Sequence, residues 1–338
     1  MNSPVDTKVD PGEIDDEFLE SIPGIKQDLM DELSKVIVGQ EQVLEHLLIS
    51  LFCDAHSILV GVPGLAKTRM VRSLSEILDL EFNRIQFTPD LMPSDITGTD
   101  ILQEGEDGRE FVFRKGPVFT DILLADEINR TPPKTQSALL QAMQEREITA
   151  GGKTYQLSNP FFVLATQNPI EQEGTYPLPE AQLDRFMLYL YVDYPSSGEE
   201  ADVVNMTTGT QENDLNSVLD RSKILEIQKA IRLVPADEAL VDDVVDLVQM
   251  TRPDKGTIPD DVEEWVRWGA GPRASQYLVL AGKARALLNG ESSVTLDHVR
   301  ELAPPILRHR IVRSFSAESE DVDTDQIISR ILEDWPSS

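Results

Sequence analysis

Gly61-Val62-Pro63-Gly64-Leu65-Ala66-Lys67-Thr68 lies between a short apolar run, Ser57-Ile58-Leu59-Val60, and a stretch in which Met70, Val71, Leu74, Ile77 and Leu78 recur at helical spacing. A glycine-bearing turn that leaves a buried strand and opens a helix points consecutive backbone N–H groups inward. It aims the lysine ammonium at outer phosphates and offers a hydroxyl to Mg²⁺. Strand before and helix after are the context such a loop requires. The stretch therefore implies a purine nucleoside triphosphate ligand. Ala66 stands where a glycine usually precedes the lysine, so the position is expected to accept a Cβ and to avoid a strongly positive φ.

Two further runs extend the pattern. Ile122-Leu123-Leu124-Ala125-Asp126-Glu127 reads as a buried strand ending in two carboxylates, and Lys67 and Asp126 stand 59 positions apart. That distance leaves room for an intervening strand between two units of about 30 residues. Asp126 is expected to hold the metal beside Thr68, and Glu127 to polarise an attacking water. Phe161-Phe162-Val163-Leu164-Ala165-Thr166-Gln167-Asn168 ends in amides at the carboxyl end of a strand, where ligands of open α/β sheets collect. Asn168 there can position the water or read the γ-phosphate, or it can be a turn residue before Pro169. Arginines that reach a γ-phosphate stabilise phosphoryl transfer. Arg185, in Leu183-Asp184-Arg185-Phe186, and Arg273, in Gly271-Pro272-Arg273-Ala274-Ser275, are candidates that spacing alone does not single out.

The alternation continues from Ser57 to Val192, with strand-like runs at Ser57-Val60, Asn83-Phe87, Ile122-Ala125, Phe161-Thr166 and Met187-Val192. This predicts an α/β domain built on a parallel sheet covered by helices. After Pro195 strands are expected to stop. A polar link near Thr207 to Ser217 is followed by helical patterns at Arg221-Leu233, Asp237-Met250, Asp261-Gly269, Ala274-Leu288, Leu296-Leu307 and Asp325-Leu332. Residues 1 to 24 are polar, acidic and punctuated by Pro and Gly, and read as a mobile tail. The domains are thus 1–24 (tail), 25–195 (α/β) and 196–338 (helical). Two glycine-centred stretches, Glu104-Gly105-Glu106-Asp107-Gly108 and Ala150-Gly151-Gly152-Lys153, read as hairpin tips.

Composition narrows the partners. The 338 residues carry 60 acidic and 30 basic side chains, a net charge of −30, with 40% hydrophobic content. The acid is spread along the chain and lysine is scarce, 11 against 19 arginines. This balance reads as halophilic adaptation, because at about 1 M salt the Debye length of about 3 Å suppresses self-repulsion. It disfavours a nucleic-acid partner, which wants a basic stripe. No run approaches a membrane span and the acidic start lacks a signal peptide, so no membrane insertion and a cytoplasmic location are expected. The single Cys53 excludes an intramolecular disulfide, and His46, His56, His298 and His309 lack metal-ligand spacing.

Taken together, these stretches resemble the MoxR family of AAA+ ATPases, in a halophilic archaeal form, from about residue 28 to 335. The resemblance is carried by Val38-Gly39-Gln40, Gly61 to Thr68, Asp126-Glu127-Ile128-Asn129-Arg130, Ala165-Thr166-Gln167-Asn168-Pro169, Leu183-Asp184-Arg185-Phe186, Gly271-Pro272-Arg273 and Leu307-Arg308-His309-Arg310. It implies a P-loop AAA+ core with a C-terminal helical lid, ATP and Mg²⁺ as cofactors, and a homo-hexameric ring with nucleotide between subunits. In that scheme Val38, Gly39 and Gln40 lie by the adenine and Asn168 is the first sensor. Arg185 is an arginine finger for the next subunit, and Arg273 is the second sensor, coupling the lid to the phosphate. The two hairpins correspond to the helix-2 insert and pre-sensor-1 hairpin, which tend to face the pore. Arg130 has no assigned role. Relatives of this kind remodel or activate client proteins, often ones with von Willebrand A domains, and sometimes assist metal insertion. The alternatives are a nucleotide-gated scaffold and a nucleic-acid motor similar to the MCM branch. The acidic first hairpin, where Glu104, Glu106, Asp107 and Glu110 outnumber Arg109, Arg114 and Lys115, argues against the motor.

Overall fold

The computed structural model describes residues 14–105, 108–170, 174–209, 214–253 and 255–336. Helices α1 (Asp16–Ser34) and α2 (Glu41–Phe52) precede strand β1 (Ser57–Val60) and helix α3 (Lys67–Ile77). Next come β2 (Phe82–Gln86), α4 (Pro93–Thr97), the hairpin β3 (Gly98–Gly105) and β4 (Gly108–Lys115), then β5 (Ile122–Asp126) and α5 (Pro133–Glu145). A second hairpin, β6 (Glu147–Ala150) and β7 (Lys153–Gln156), leads to β8 (Phe162–Gln167), α6 (Glu180–Leu183) and β9 (Leu188–Tyr191).

Strands β2-β5-β8-β1-β9 form one parallel sheet in that order. Its three central strands carry almost unbroken apolar runs because helices cover both faces. Successive side chains alternate between the two sides. Leu59, Leu124 and Leu164 enter one apolar cluster with α1, α2 and α3, whereas Ile58, Leu123 and Val163 enter the other with α5. Parallel direction also places every strand's carboxyl end on one edge, which is what gathers the site.

The C-terminal region begins with α7 (Ser197–Thr208) and continues through α8 (Arg221–Leu233), α9 (Glu238–Gln249), α10 (Asp260–Glu263) and β10 (Val266–Trp268). It ends with α11 (Pro272–Leu288), α12 (Leu296–Leu307), β11 (Val312–Arg313), α13 (Phe315–Ser319) and α14 (Thr324–Asp334). The first apolar cluster runs uninterrupted from Ile22 through the sheet to Leu278, Ile306 and Ile331, so lid and core share one interior.

Three expectations need correction. The presumed tail lies outside the described residues only up to 13. From Asp16 it is helix, capped by the Asp15 carboxylate on the Glu17 N–H and held by Ile22, which is fully buried. Strands do not stop after Pro195, since β10 and β11 pair antiparallel, and the helix expected over Asp261 to Gly269 ends at Glu263. Tertiary pairing with Val312 and Arg313 outweighs the local pattern there. Helix α7 was invisible to periodicity because it buries no residue, and it rests on a reciprocal Ser196–Glu199 cap. Of the first hairpin's expected tip, Glu106 and Asp107 lie outside the described residues.

Candidate nucleotide site

At the end of β1 the chain passes so close to β9 that a Cβ on Gly61 would meet the Val192 carbonyl oxygen at 2.6 Å, which reserves the position for glycine. Gly64 turns with φ +91°. Ala66 corrects the sequence expectation: it adopts φ +54°, ψ 16°, in the left-handed region. As the cap of α3 it must reverse the chain between loop and helix, and the turn imposes this conformation at a cost of about 1–2 kcal/mol. Helix α3 then starts at Lys67, so its first N–H groups have no intrahelical acceptor and face the loop. The half-buried Lys67 ammonium donates to the carbonyls of Gly61 and, at 3.2 Å, Val62. Burial lowers its pKa, against the attraction of Asp126 and Glu127.

The carboxylates stand opposite, at the end of β5 and just past it. Asp126 accepts the Thr166 hydroxyl on Oδ1 at 2.5 Å, while its Oδ2 takes Arg84 Nε at 3.0 Å and Nη2 at 2.5 Å. Glu127 leaves the strand with φ +56°, its N–H held by Thr166 Oγ1 at 2.9 Å. Its Oε2 accepts Gln86 Nε2 and Arg130 Nη1, each at 2.9 Å. One hydroxyl, on β8, thus ties Asp126 at the end of β5 and Glu127 just past it in place. Asn168 follows on the same edge. Its Oδ1 accepts the Ile170 N–H at 3.1 Å, whereas its buried Nδ2 has no acceptor in the structure.

These groups converge. Pro63, Gly64, Leu65, Ala66, Lys67, Thr68, Asp126, Glu127 and Asn168 line one cleft of about 450 Å³, together with Arg69, Arg84, Gln86, Thr166 and Gln167. Sequence reasoning missed the roles of Arg84, Gln86 and Thr166. The available signal was cross-strand: Gln86 pairs with Asp126 in the β2–β5 ladder, and Arg84 lies two residues earlier on the same face. Arg130, which the sequence leaves without a role, is an ion-pair partner of Glu127.

Val38, Gly39 and Gln40 stand beside this edge and not in the cleft, with the Gln40 amide donating to the Asp193 carbonyl at 3.1 Å just past β9. Arg185 and Arg273 are elsewhere. They line a separate cavity of about 200 Å³ with Asp54, His56, Arg146 and Tyr277, at the amino ends of β1 and β9. Arg185 donates to the Leu140 carbonyl at 2.7 Å, and Arg273 pairs with Asp184 at 2.7 Å. The lid arginine expected to couple to the phosphate is therefore not at the cleft of its own chain, being drawn instead to Asp184.

The cleft suits a magnesium-bound triphosphate. It offers unpaired helix N–H groups, a lysine, a hydroxyl on Thr68, a carboxylate at Asp126, and a buried amide donor still lacking an acceptor. Among the described residues no group of His, Cys, Asp and Glu forms a metal site without such a ligand, and no helix is long and apolar enough to cross a membrane.

Comparison with known proteins agrees with this geometry. Residues 56–188 match the family model described as ATPase family associated with various cellular activities (AAA), and residues 259–331 match the AAA lid domain. The chain is 43% identical over 302 residues to the chaperone MoxR1 of Mycobacterium tuberculosis, covering 89% of this chain and 79% of that protein. It is 31% identical to the protein MoxR of Methylorubrum extorquens, covering 83% and 85%. A crystal structure of a candidate ATPase from Cytophaga hutchinsonii superposes with a TM-score of 0.86 at 43% identity, covering 94% of this chain and 96% of that one. A parallel five-stranded core with this cleft on its carboxyl edge, a helical lid, and relatives of that name over most of the length place the chain in the MoxR family of AAA ATPases.

Proposed function

We propose that the protein hydrolyses ATP with Mg²⁺ at sites shared between neighbouring subunits of a closed ring, a homo-hexamer, and uses the cycle to remodel client proteins. The observation that carries this reading is the separation of the cleft from the two arginines. The cleft lies at the carboxyl end of β1 and Arg185 at its amino end, and four residues of strand alone span about 13 Å. Arg185 and Arg273 can therefore reach a γ-phosphate only in another copy's cleft, and a head-to-tail arrangement that brings one sheet edge to the opposite edge of the next copy gives a ring when the rotation between copies closes.

In this scheme Lys67 and the N-terminal amides of α3 bind the phosphates, Thr68 and Asp126 hold the metal, and Val38, Gly39 and Gln40 border the adenine. When bound there, the metal would offset the negative charge of the outer phosphates. Glu127, oriented by Thr166 through its own N–H, accepts the proton of the attacking water. The Asn168 amide donates to the γ-phosphate or that water, and the neighbour's Arg185 and Arg273 offset the charge that develops.

The chaperone named among the relatives supports client proteins as partners; clients with von Willebrand A domains, metal-site maturation and a cytoplasmic setting are part of the proposal and rest on the family resemblance alone. The hairpin β3–β4 opposes Glu104 to Arg109 and carries Glu110, a poor lining for a nucleic-acid backbone.

The test is complementation in molar KCl with magnesium. Arg185→Ala and Glu127→Gln assemblies should each be inactive, while rings assembled from an equal mixture should regain about one quarter of wild-type sites, those pairing an intact Glu127 with an intact neighbouring arginine. Silence at every mixing ratio overturns the shared site.

A further inference from the structure

The motif Leu307-Arg308-His309-Arg310 has no role in the reading above, yet it touches the segment that carries Arg185. It follows α12, and its three polar residues all reach across to the chain entering β9. Arg310 is buried and uses every N–H it has. Nε donates to Asp184 Oδ1 at 2.8 Å, and Nη2 to the carbonyls of Asp184 at 3.0 Å and Phe186 at 2.7 Å. Nη1 donates to the Met187 carbonyl at 3.2 Å and to that of Ile306. His309 Nε2 lies 3.0 Å from the Phe186 carbonyl, and Arg308 donates to that of Tyr189 at 3.2 Å. The Tyr277 hydroxyl, from α11, takes the remaining carbonyl, that of Arg185, at 3.3 Å, and its ring lies 5.2 Å beneath the Arg310 guanidinium.

The lid thereby occupies the backbone carbonyls of four consecutive residues, 184 to 187, with Arg185 in their midst. Asp184 completes the unit by pairing on its other oxygen with Arg273. Burying a guanidinium carries a desolvation penalty that an apolar side chain would not. Here four of the five donors serve one short segment, Asp184 to Met187, and that segment carries Arg185 and anchors Arg273.

We propose that Arg310 is a positioning residue for the arginines offered to the neighbouring subunit: it ties the Asp184–Met187 backbone to the lid, so that Arg185 and Arg273 are held as one unit. This rests on the shared-site reading. The consequence is that Arg310 acts on the site of the next subunit and leaves its own subunit's cleft untouched.

The test is Arg310→Lys, which keeps the charge but has three donors on a flexible stem and cannot span the same acceptors. The assembled variant should bind ATP with KM within about threefold of wild type, while kcat falls about 10- to 100-fold, the scale expected when a catalytic group is misplaced by about 1 Å. Mixed with Glu127→Gln it should regain activity, because the Glu127→Gln subunit supplies a well-held Arg185. Mixed with Arg185→Ala it should not, since both then lack the same contribution. Tyr277→Phe, which removes only the bond to the Arg185 carbonyl, should fall in the same complementation class with a smaller defect, and it serves if Arg310→Lys does not fold. Recovery of Arg185→Ala with Glu127→Gln but not of either lid variant with Glu127→Gln overturns the positioning role alone. Unchanged kcat in both lid variants does the same, and failure of all mixtures overturns the shared site beneath it.

Discussion

Asn168→Ala separates a working donor from a turn residue, because the two roles predict opposite signs. In the structure Oδ1 accepts one N–H, from Ile170 at 3.1 Å, while Nδ2 is buried without an acceptor. Removing the side chain forfeits a bond worth about 1 kcal/mol and relieves an unsatisfied donor costing about 1–3 kcal/mol. Folding stability should therefore be unchanged or higher, by up to about 2 kcal/mol. Turnover should move the other way. A preorganised donor aimed at developing oxyanion charge contributes about 2.7–4 kcal/mol, so kcat should fall about 10²- to 10³-fold. Urea unfolding and phosphate release at saturating ATP read the two quantities from one preparation. A variant that loses more than about 1 kcal/mol of stability while keeping kcat within about threefold would show that Asn168 merely terminates β8.

Two other outcomes follow from local geometry. Ala66→Gly removes a left-handed alanine costing about 1–2 kcal/mol and adds unfolded-state entropy of up to about 1 kcal/mol, so stability should hold or rise slightly in urea titration. A loss above about 1 kcal/mol would refute the strain. Burial lowers the pKa of His46 to about 4, that of His56 to about 3, and that of His309 well below its usual value. Such groups stabilise the fold fully above the unfolded value near 6.5, and this is lost as pH falls toward the folded values, because the unfolded chain then binds more protons. Near pH 5, His46 and His56 together should contribute a slope of roughly 2.5 kcal/mol per pH unit, with His309 acting in the same direction. In His56→Gln about half of that slope should vanish, and an unaltered slope would refute the assignment.

Much of this architecture is legible in the chain because it is written in burial. Strands β1, β5 and β8 are covered on both faces and so appear as apolar runs, each followed by residues that the shared edge gathers. The loop is legible because its spacing is a backbone requirement. What escapes is decided across strands or between domains. Thr166 reads as one more strand residue until the β5–β8 pairing sets it against Asp126 and the Glu127 N–H. Gln86 and Arg84 acquire meaning only from the register of β2 on β5. Helix α7 has no apolar stripe to announce it, and the position of Arg185 and Arg273 at the far edge depends on the direction in which β9 enters the sheet.

The same edge also concentrates the chain's unfavourable local choices. Ala66 and Glu127 both sit in the left-handed region, and Asn168 keeps an unpaired amide in the interior. Each costs on the order of 1–3 kcal/mol, and such states persist only where the surroundings over-determine them. The surroundings here are well suited to that: Ala66 is pinned between a glycine turn and the first turn of α3, and Glu127 between a fully buried strand and the Thr166 hydroxyl. Arg310 is the counterpart at the opposite edge, a buried cation with four of its five donors spent on residues 184–187. Local costs of this kind lie at the two edges that a head-to-tail assembly would bring together, where catalytic groups from two copies must be held in register.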